Sequence, residues 1–173
     1  MLTDPSHSSI HLFPCILLVL LGGCAMTPSS PTGVDSSGLD YSIDDPTRQH
    51  VVGIAKSLLG VPYEWGGSDP NGVDCSGLVN YTFEQIGIHV PRTAEQLYVA
   101  GRKLRRVQPG DLLFYQTSSR GRISHVGIYI GHGQMIHAST SQRRVIKADI
   151  SQPYWRKRWV GSATYLACVG PHC

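Results

Sequence analysis

"HVGIYIGHGQMIHAS", residues 125–139, alternates between large apolar and small or polar residues on both sides of a Gly-His-Gly centre. A period of two with glycines at the middle reads as two antiparallel strands joined by a tight turn. The length of that turn decides which side chains share a face. A two-residue turn at His132-Gly133 sets Gly131 opposite Gln134 and His137 opposite Ile128, which puts His125 and His137 on opposite faces. A three-residue loop, Gly131-His132-Gly133, pairs Ile130 with Gln134 and His137 with Gly127. His125 and His137 then share a face as diagonal neighbours, about 7–8 Å apart at the backbone. Gly127 leaves space between them, and Gly133 suits the left-handed position of such loops. The three-residue loop is the expectation.

Outward from this hairpin the same period continues. "DLLFYQ" (111–116), "RVIKAD" (144–149) and "WVGSATYL" (159–166) read as further strands. Their short connections imply an antiparallel meander of about five to six strands. Upstream the period is helical. In 44–60, Asp45 caps, Pro46 fits the first turn, Gly60 fits the stop, and Val51, Ile54, Ala55, Leu58 and Leu59 form the apolar stripe. Residues 61–72 read as a loop. Asp74 then caps a helix over Cys75–Ile86 whose inner face is Leu78, Val79, Thr82, Phe83 and Ile86. Thr93 caps a short third helix that stops at Gly101. Helices first and strands later predict an α+β domain, with the helices packed on one face of the sheet.

The chain has 173 residues and a formal charge of +3, enough for one domain and too mild a charge to argue for nucleic acid. Residues 1–23 read as a signal peptide: "FPCILLVLLGGC" (13–24) is apolar, too short to span a bilayer, and ends in small residues and a cysteine. "LGGC" resembles a lipobox, which makes Cys24 the lipidated first mature residue and a membrane anchor. No Lys or Arg precedes the apolar run. Residues 24–44 form the lipidated cysteine and a Ser/Pro/Gly-rich tether with an r.m.s. reach of roughly 25 Å. The domain is 45–173. Cys168 and Cys173 either pair or stay free. Cys75 is left alone.

Cys75 stands at the first turn of a helix, where free N–H groups and the macrodipole favour a thiolate and lower its pKa. Gly77 costs helix stability, so a substrate or a close-packed strand needs space there. A nucleophilic thiol requires a base. Cys75, His125 as base and His137 as the group that accepts the other His125 ring N–H make a triad. His137 must stay neutral to accept, so acidification through the imidazole range should disable the site. The Cys75 backbone N–H is one oxyanion donor, and the Tyr63 hydroxyl is a candidate second. Asp74, Ser76, Trp65 and Arg92 are candidate cleft residues, although for Trp65 simple packing is the preferred reading. A zinc site from Cys75, His125, His137 and His132 lacks the paired ligand spacing of such sites. The run "RKLRR" (102–106) could hold an anionic glycan or lipid in a non-catalytic binding protein, but reads better as a solvated face. No cofactor is implied.

"VPYEWGG", "GVDCSGLV", "PRTAEQ", "PGDLLFY", "HVGIYIG" and "MIHAS" occur in that order and together resemble the NlpC family of bacterial cell-wall cysteine endopeptidases, over roughly residues 46–165. "HASTS" and "PYWRKRW" are similar to its Gram-negative lipoprotein subgroup. The resemblance implies a papain-like fold, cleavage of peptide bonds in peptidoglycan stems or crosslinks, Cys75 as nucleophile, His125 as base, His137 as third polar residue and Tyr63 as oxyanion tyrosine. It implies a peptidoglycan peptide substrate and a monomer. Ala25, in place of a retaining Asp, points to the outer membrane facing the periplasm. Another cysteine amidase or acyltransferase on the same fold would use the same triad.

Overall fold

The computed structural model describes residues 45–119 and 121–167. These lie in the second of two units, Leu39–Cys173; the first, Met1–Gly38, falls outside the described residues. Cys24, the tether, Cys168 and Cys173 are likewise outside them.

The helices begin where their caps direct. Asp45 accepts from the Thr47 and Arg48 amides at the start of α1, Pro46–Ser57. Asp74 accepts from the Gly77 amide at the start of α2, Cys75–Glu84. Thr93 and Gln96 form a reciprocal capping box on α3, Ala94–Ala100. On α1, Val51, Ala55 and Leu58 are buried as the stripe requires, but Leu59 is exposed and Val52 takes an inner position. Helix α1 ends at Ser57, so the chain turns before Leu59 can continue the stripe. The loop before α2 is more ordered than its composition implies. It contains a small hairpin of β1, Ser68–Asp69, and β2, Gly72–Val73.

The main sheet has six antiparallel strands: β3 (Arg102–Lys103), β4 (Leu112–Tyr115), β5 (His125–Gly131), β6 (Gln134–Ser139), β7 (Arg144–Asp149) and β8 (Trp159–Thr164). Their order is β3-β8-β4-β5-β6-β7. Strands β4 to β7 form the expected meander. Strand β8 does not extend it: the chain returns through the short helix α4, Pro153–Arg156, and inserts between β3 and β4. Neither β3 nor α4 was legible as an element, being too short to show a period.

Alternate residues of the sheet face two cores. Leu112, Phe114, Val126, Ile128, Ile136, Ala138 and Ala163 meet the helices through Val51, Ala55, Leu78, Val79, Phe83 and Leu97. Leu113, Tyr115 and Met135 face the other way and are covered by Trp155 of α4, with Val107, Tyr129, Ala148 and Ile150 around them. A buried ion pair joins the layers: Arg48 Nη1 donates to Asp111 Oδ1 at 2.8 Å and to the Pro109 carbonyl at 2.9 Å. Asp111 also accepts from the Gln108 amide.

The central hairpin corrects one expectation and keeps its consequence. Gly131 pairs with Gln134, so the turn is the two-residue one, with positive φ at both His132 and Gly133. Such a turn matches strand twist. The register then shifts at Ile130, where a β-bulge absorbs one residue, and Tyr129 pairs with Met135 and Ile128 with Ile136. Continued by one residue, that register sets His137 opposite Gly127. His125 and His137 therefore share a face, through a bulge rather than a longer loop.

Candidate active site

Cys75 is the first residue of α2, and its side chain is partly exposed. Its thiol receives the Val126 backbone N–H, besides those of Ser76 and Cys75 itself, which brings the helix start against the opening of β5. His125 opens that strand. Its Nε2 lies 3.0 Å from His137 Nδ1, in a buried pair with rings nearly perpendicular. Gly127 is what lets them meet: a Cβ there would come within 2.7 Å of Met135 Sδ and 3.3 Å of His137 Cβ. Trp155 closes the pair from the far side, stacked on His125 at 5.7 Å and edge-on to His137 at 4.9 Å.

Burial works against charge throughout this cluster. His125 is lowered to about 3 by desolvation first and by His137 second. His137 is lowered to about 4, again by desolvation. The Cys75 thiol is pushed up to about 11 by burial and by the neighbouring Asp74 carboxylate. The helix-start and Val126 amides pull it down, yet they do not win. The expectation of a lowered thiol pKa is thus overturned, because desolvation penalises the thiolate more than the dipole and amides favour it. The resting site is a neutral thiol beside neutral imidazoles.

Tyr63 is half-buried, and its hydroxyl is raised first by burial and then by its proximity to Cys75 and Asp74, so it stays a neutral donor near the thiol. Its backbone is fixed by a hydrogen bond to the Arg143 carbonyl and a bridge to Val73. Asp74, Ser76 and Arg92 come together as one network. Arg92 grips both Asp74 oxygens, at 3.0 and 2.7 Å, and also donates to Ser76 Oγ and the Gly67 carbonyl. Burial would raise the Asp74 pKa, but Arg92, the Gly77 amide and Ser76 together hold it below the usual carboxylate range. Trp65 does not pack: it is 88 % exposed at the loop tip beside Gly66, whose φ is +79°. The space at Gly77 is taken by backbone, since a Cβ there would overlap the Gly67 carbonyl oxygen.

One functional side chain escaped sequence reasoning. Trp155 lies in "PYWRKRW", but no periodicity marks a four-residue helix as the roof of a histidine pair. Among the described residues, no group of three His, Cys, Asp or Glu side chains is arranged to hold a metal ion.

Residues 60–164 match the model of the NlpC/P60 family. The chain belongs to that family. NlpC/P60 proteins are cysteine peptidases, which agrees with a helix-start cysteine whose thiol meets the Val126 amide, next to His125 in β5. The chain is 46% identical over 160 residues to the murein DD-endopeptidase MepS/murein LD-carboxypeptidase of Escherichia coli K12, covering 82% of this chain and 84% of that protein. It is 44% identical over 115 residues to the gamma-DL-glutamyl hydrolase of Bacillus subtilis, covering 64% of this chain but 28% of that protein. Among solved structures, an NlpC/P60 family protein of Bacillus cereus superposes with a TM-score of 0.66 at 31% identity, covering 70% of this chain and 41% of that one. The papain-like α+β architecture is the one these domains share.

Proposed function

We propose that this protein is a peptidoglycan hydrolase that cleaves a peptide bond in stem peptides or crosslinks by a Cys-His-His mechanism. The observation that carries the reading is the 3.0 Å contact of His125 Nε2 with His137 Nδ1, at the strand that faces Cys75. With Nε2–H donated to His137, His125 keeps its Nδ1 lone pair for the thiol proton. Because thiol and imidazole are both neutral at rest, proton transfer accompanies attack. Sulfur bonds to the carbonyl carbon, the proton moves to His125, and negative charge collects on the carbonyl oxygen. The Cys75 amide and the Tyr63 hydroxyl donate to that oxygen. His125 then gives its proton to the leaving amine as the C–N bond breaks. Water, deprotonated by His125, hydrolyses the resulting acyl-enzyme. Asp74, held by Arg92, keeps the helix start in place.

The relatives support the substrate class, since two Escherichia coli proteins matched by the chain are named murein DD-endopeptidases. The lipid anchor at Cys24, and with it placement at the outer membrane facing the periplasm, belongs to the same proposal and rests on "LGGC" and Ala25. The test is digestion of sacculi and defined muropeptides, with products identified by mass spectrometry. Peptide-bond products that persist with chelator present support the reading. Loss with chelator alone would reinstate zinc, and retention on sacculi without products would favour a non-catalytic wall-binding protein.

A further inference from the structure

On the sheet face away from helices α1 to α3, Tyr115, Ile150, Trp155, Arg156 and Trp159 line a cleft of about 330 Å³. Register ties it to the active site. Trp159 pairs with Tyr115, and Tyr115 pairs with His125, so one row across three strands runs from the cleft to the histidine. At about 4.8 Å per strand, Trp159 stands roughly 10 Å from His125. All three residues sit at the same end of the sheet: Tyr115 closes β4, while His125 opens β5 and Trp159 opens β8. Trp155 is a shared wall, packed on both histidines and on Tyr115 at 4.8 Å.

The walls of the cleft are mostly aromatic. Trp159 is 44 % exposed and Tyr154 47 %. Tyr154 is not itself a lining residue but stands edge-on to the lining Trp155 at 4.9 Å, with Arg158 over its ring at 3.9 Å. Arg156 is the one cation among the lining residues, which suits a mostly neutral ligand better than a polyanion. The Tyr115 hydroxyl is buried without a protein partner among the described residues. Aromatic walls, of which the Trp159 face is exposed, beside a few polar groups are the usual make-up of a small-molecule site, and the volume is at the small end of that range.

We propose that this cleft holds an N-acetylhexosamine residue of the peptidoglycan glycan strand; the proposal rests on the peptidoglycan reading above. A pyranose ring presents a face of C–H bonds that packs on an indole such as Trp159. Its acetamido carbonyl and hydroxyls accept from the Arg156 guanidinium. The separation from His125 is the length of roughly three extended residues. One substrate can therefore place its sugar in the cleft and a stem-peptide bond beside His125.

The test is calorimetric titration of the full chain with chitotriose, the trimer of N-acetylglucosamine, and separately with a glycan-free stem tetrapeptide. Chitotriose should bind saturably. Trp159→Ala should weaken it about tenfold, and Arg156→Gln, which alters one exposed side chain, about threefold. In kinetics both substitutions should raise KM for a disaccharide-peptide and not for the free peptide. Absence of saturable chitotriose binding up to about 10 mM, or binding indifferent to both substitutions, overturns the proposal. So does tetrapeptide binding that depends on Trp159, which would make the cleft a peptide subsite. If the glycan site fails while muropeptides are still cleaved, the hydrolase reading stands; if the wild type cleaves nothing, that reading fails instead.

Discussion

Gly77→Ala separates helix propensity from packing. Residue 77 lies in the first turn of α2, where alanine is favoured over glycine by about 1 kcal/mol. On propensity alone the substitution stabilises. The structure reverses the sign. A Cβ at 77 would overlap the Gly67 carbonyl oxygen and stand 3.0 Å from its carbon and 3.1 Å from Ser68 Cα. All three are backbone atoms of the small hairpin and cannot rotate aside. That same carbonyl accepts from the Asp74 amide at 3.1 Å and from Arg92 at 3.3 Å. Displacing it costs about 1–3 kcal/mol of overpacking and about 1 kcal/mol for each hydrogen bond lost. Less the propensity gain, the net is about 2–4 kcal/mol, or roughly 8–16 °C in Tm at about 4 °C per kcal/mol for a domain of this size. Thermal unfolding by circular dichroism measures it, and muropeptide turnover should fall as well, since the loop carries Tyr63. A variant as stable and active as the wild type would refute the close approach of loop and helix.

Asp111→Asn removes the carboxylate that Arg48 meets inside the fold and should cost about 3–5 kcal/mol, read by denaturant unfolding. Tyr63→Phe should lower kcat about 10²- to 10³-fold with little change in KM if its hydroxyl donates to the oxyanion; an unchanged kcat removes Tyr63 from that role. With His125 lowered to about 3 and His137 to about 4, the acid limb of kcat/KM should fall near pH 4, below the ordinary imidazole range in which the sequence alone places it. Stability follows the same sign. The unfolded histidines take up protons below about 6.5 while the folded pair stays neutral, so Tm should drop as pH falls from there towards 4. A Tm flat over that window would contradict the burial of the pair.

Much of this site was legible because its signals are local. Asp74 and Thr93 carry cap chemistry, Cys75 sits one residue past a cap, and strand patterning flanks the Gly-His-Gly turn on both sides. The face shared by His125 and His137 was reached through the wrong turn. A bulge at Ile130 shifts register with the same effect as an extra loop residue, and alternation cannot tell them apart. The Arg92 clamp on Asp74 joins the cap of α2 to the loop beyond its far end, 18 residues on, and neither cap chemistry nor periodicity encodes that return. Trp155 depends on β8 returning beside β4, a topology that strand patterns do not encode. The helix start that favours a thiolate is visible in the sequence, whereas the burial that outweighs it at Cys75 is not.

The most direct measurement is the rate of muropeptide cleavage by Cys75→Ala beside the wild type, with the fold of the variant checked by its Tm. The nucleophile assignment predicts that peptide-bond products disappear while the variant stays folded. Cleavage that continues in Cys75→Ala would contradict it.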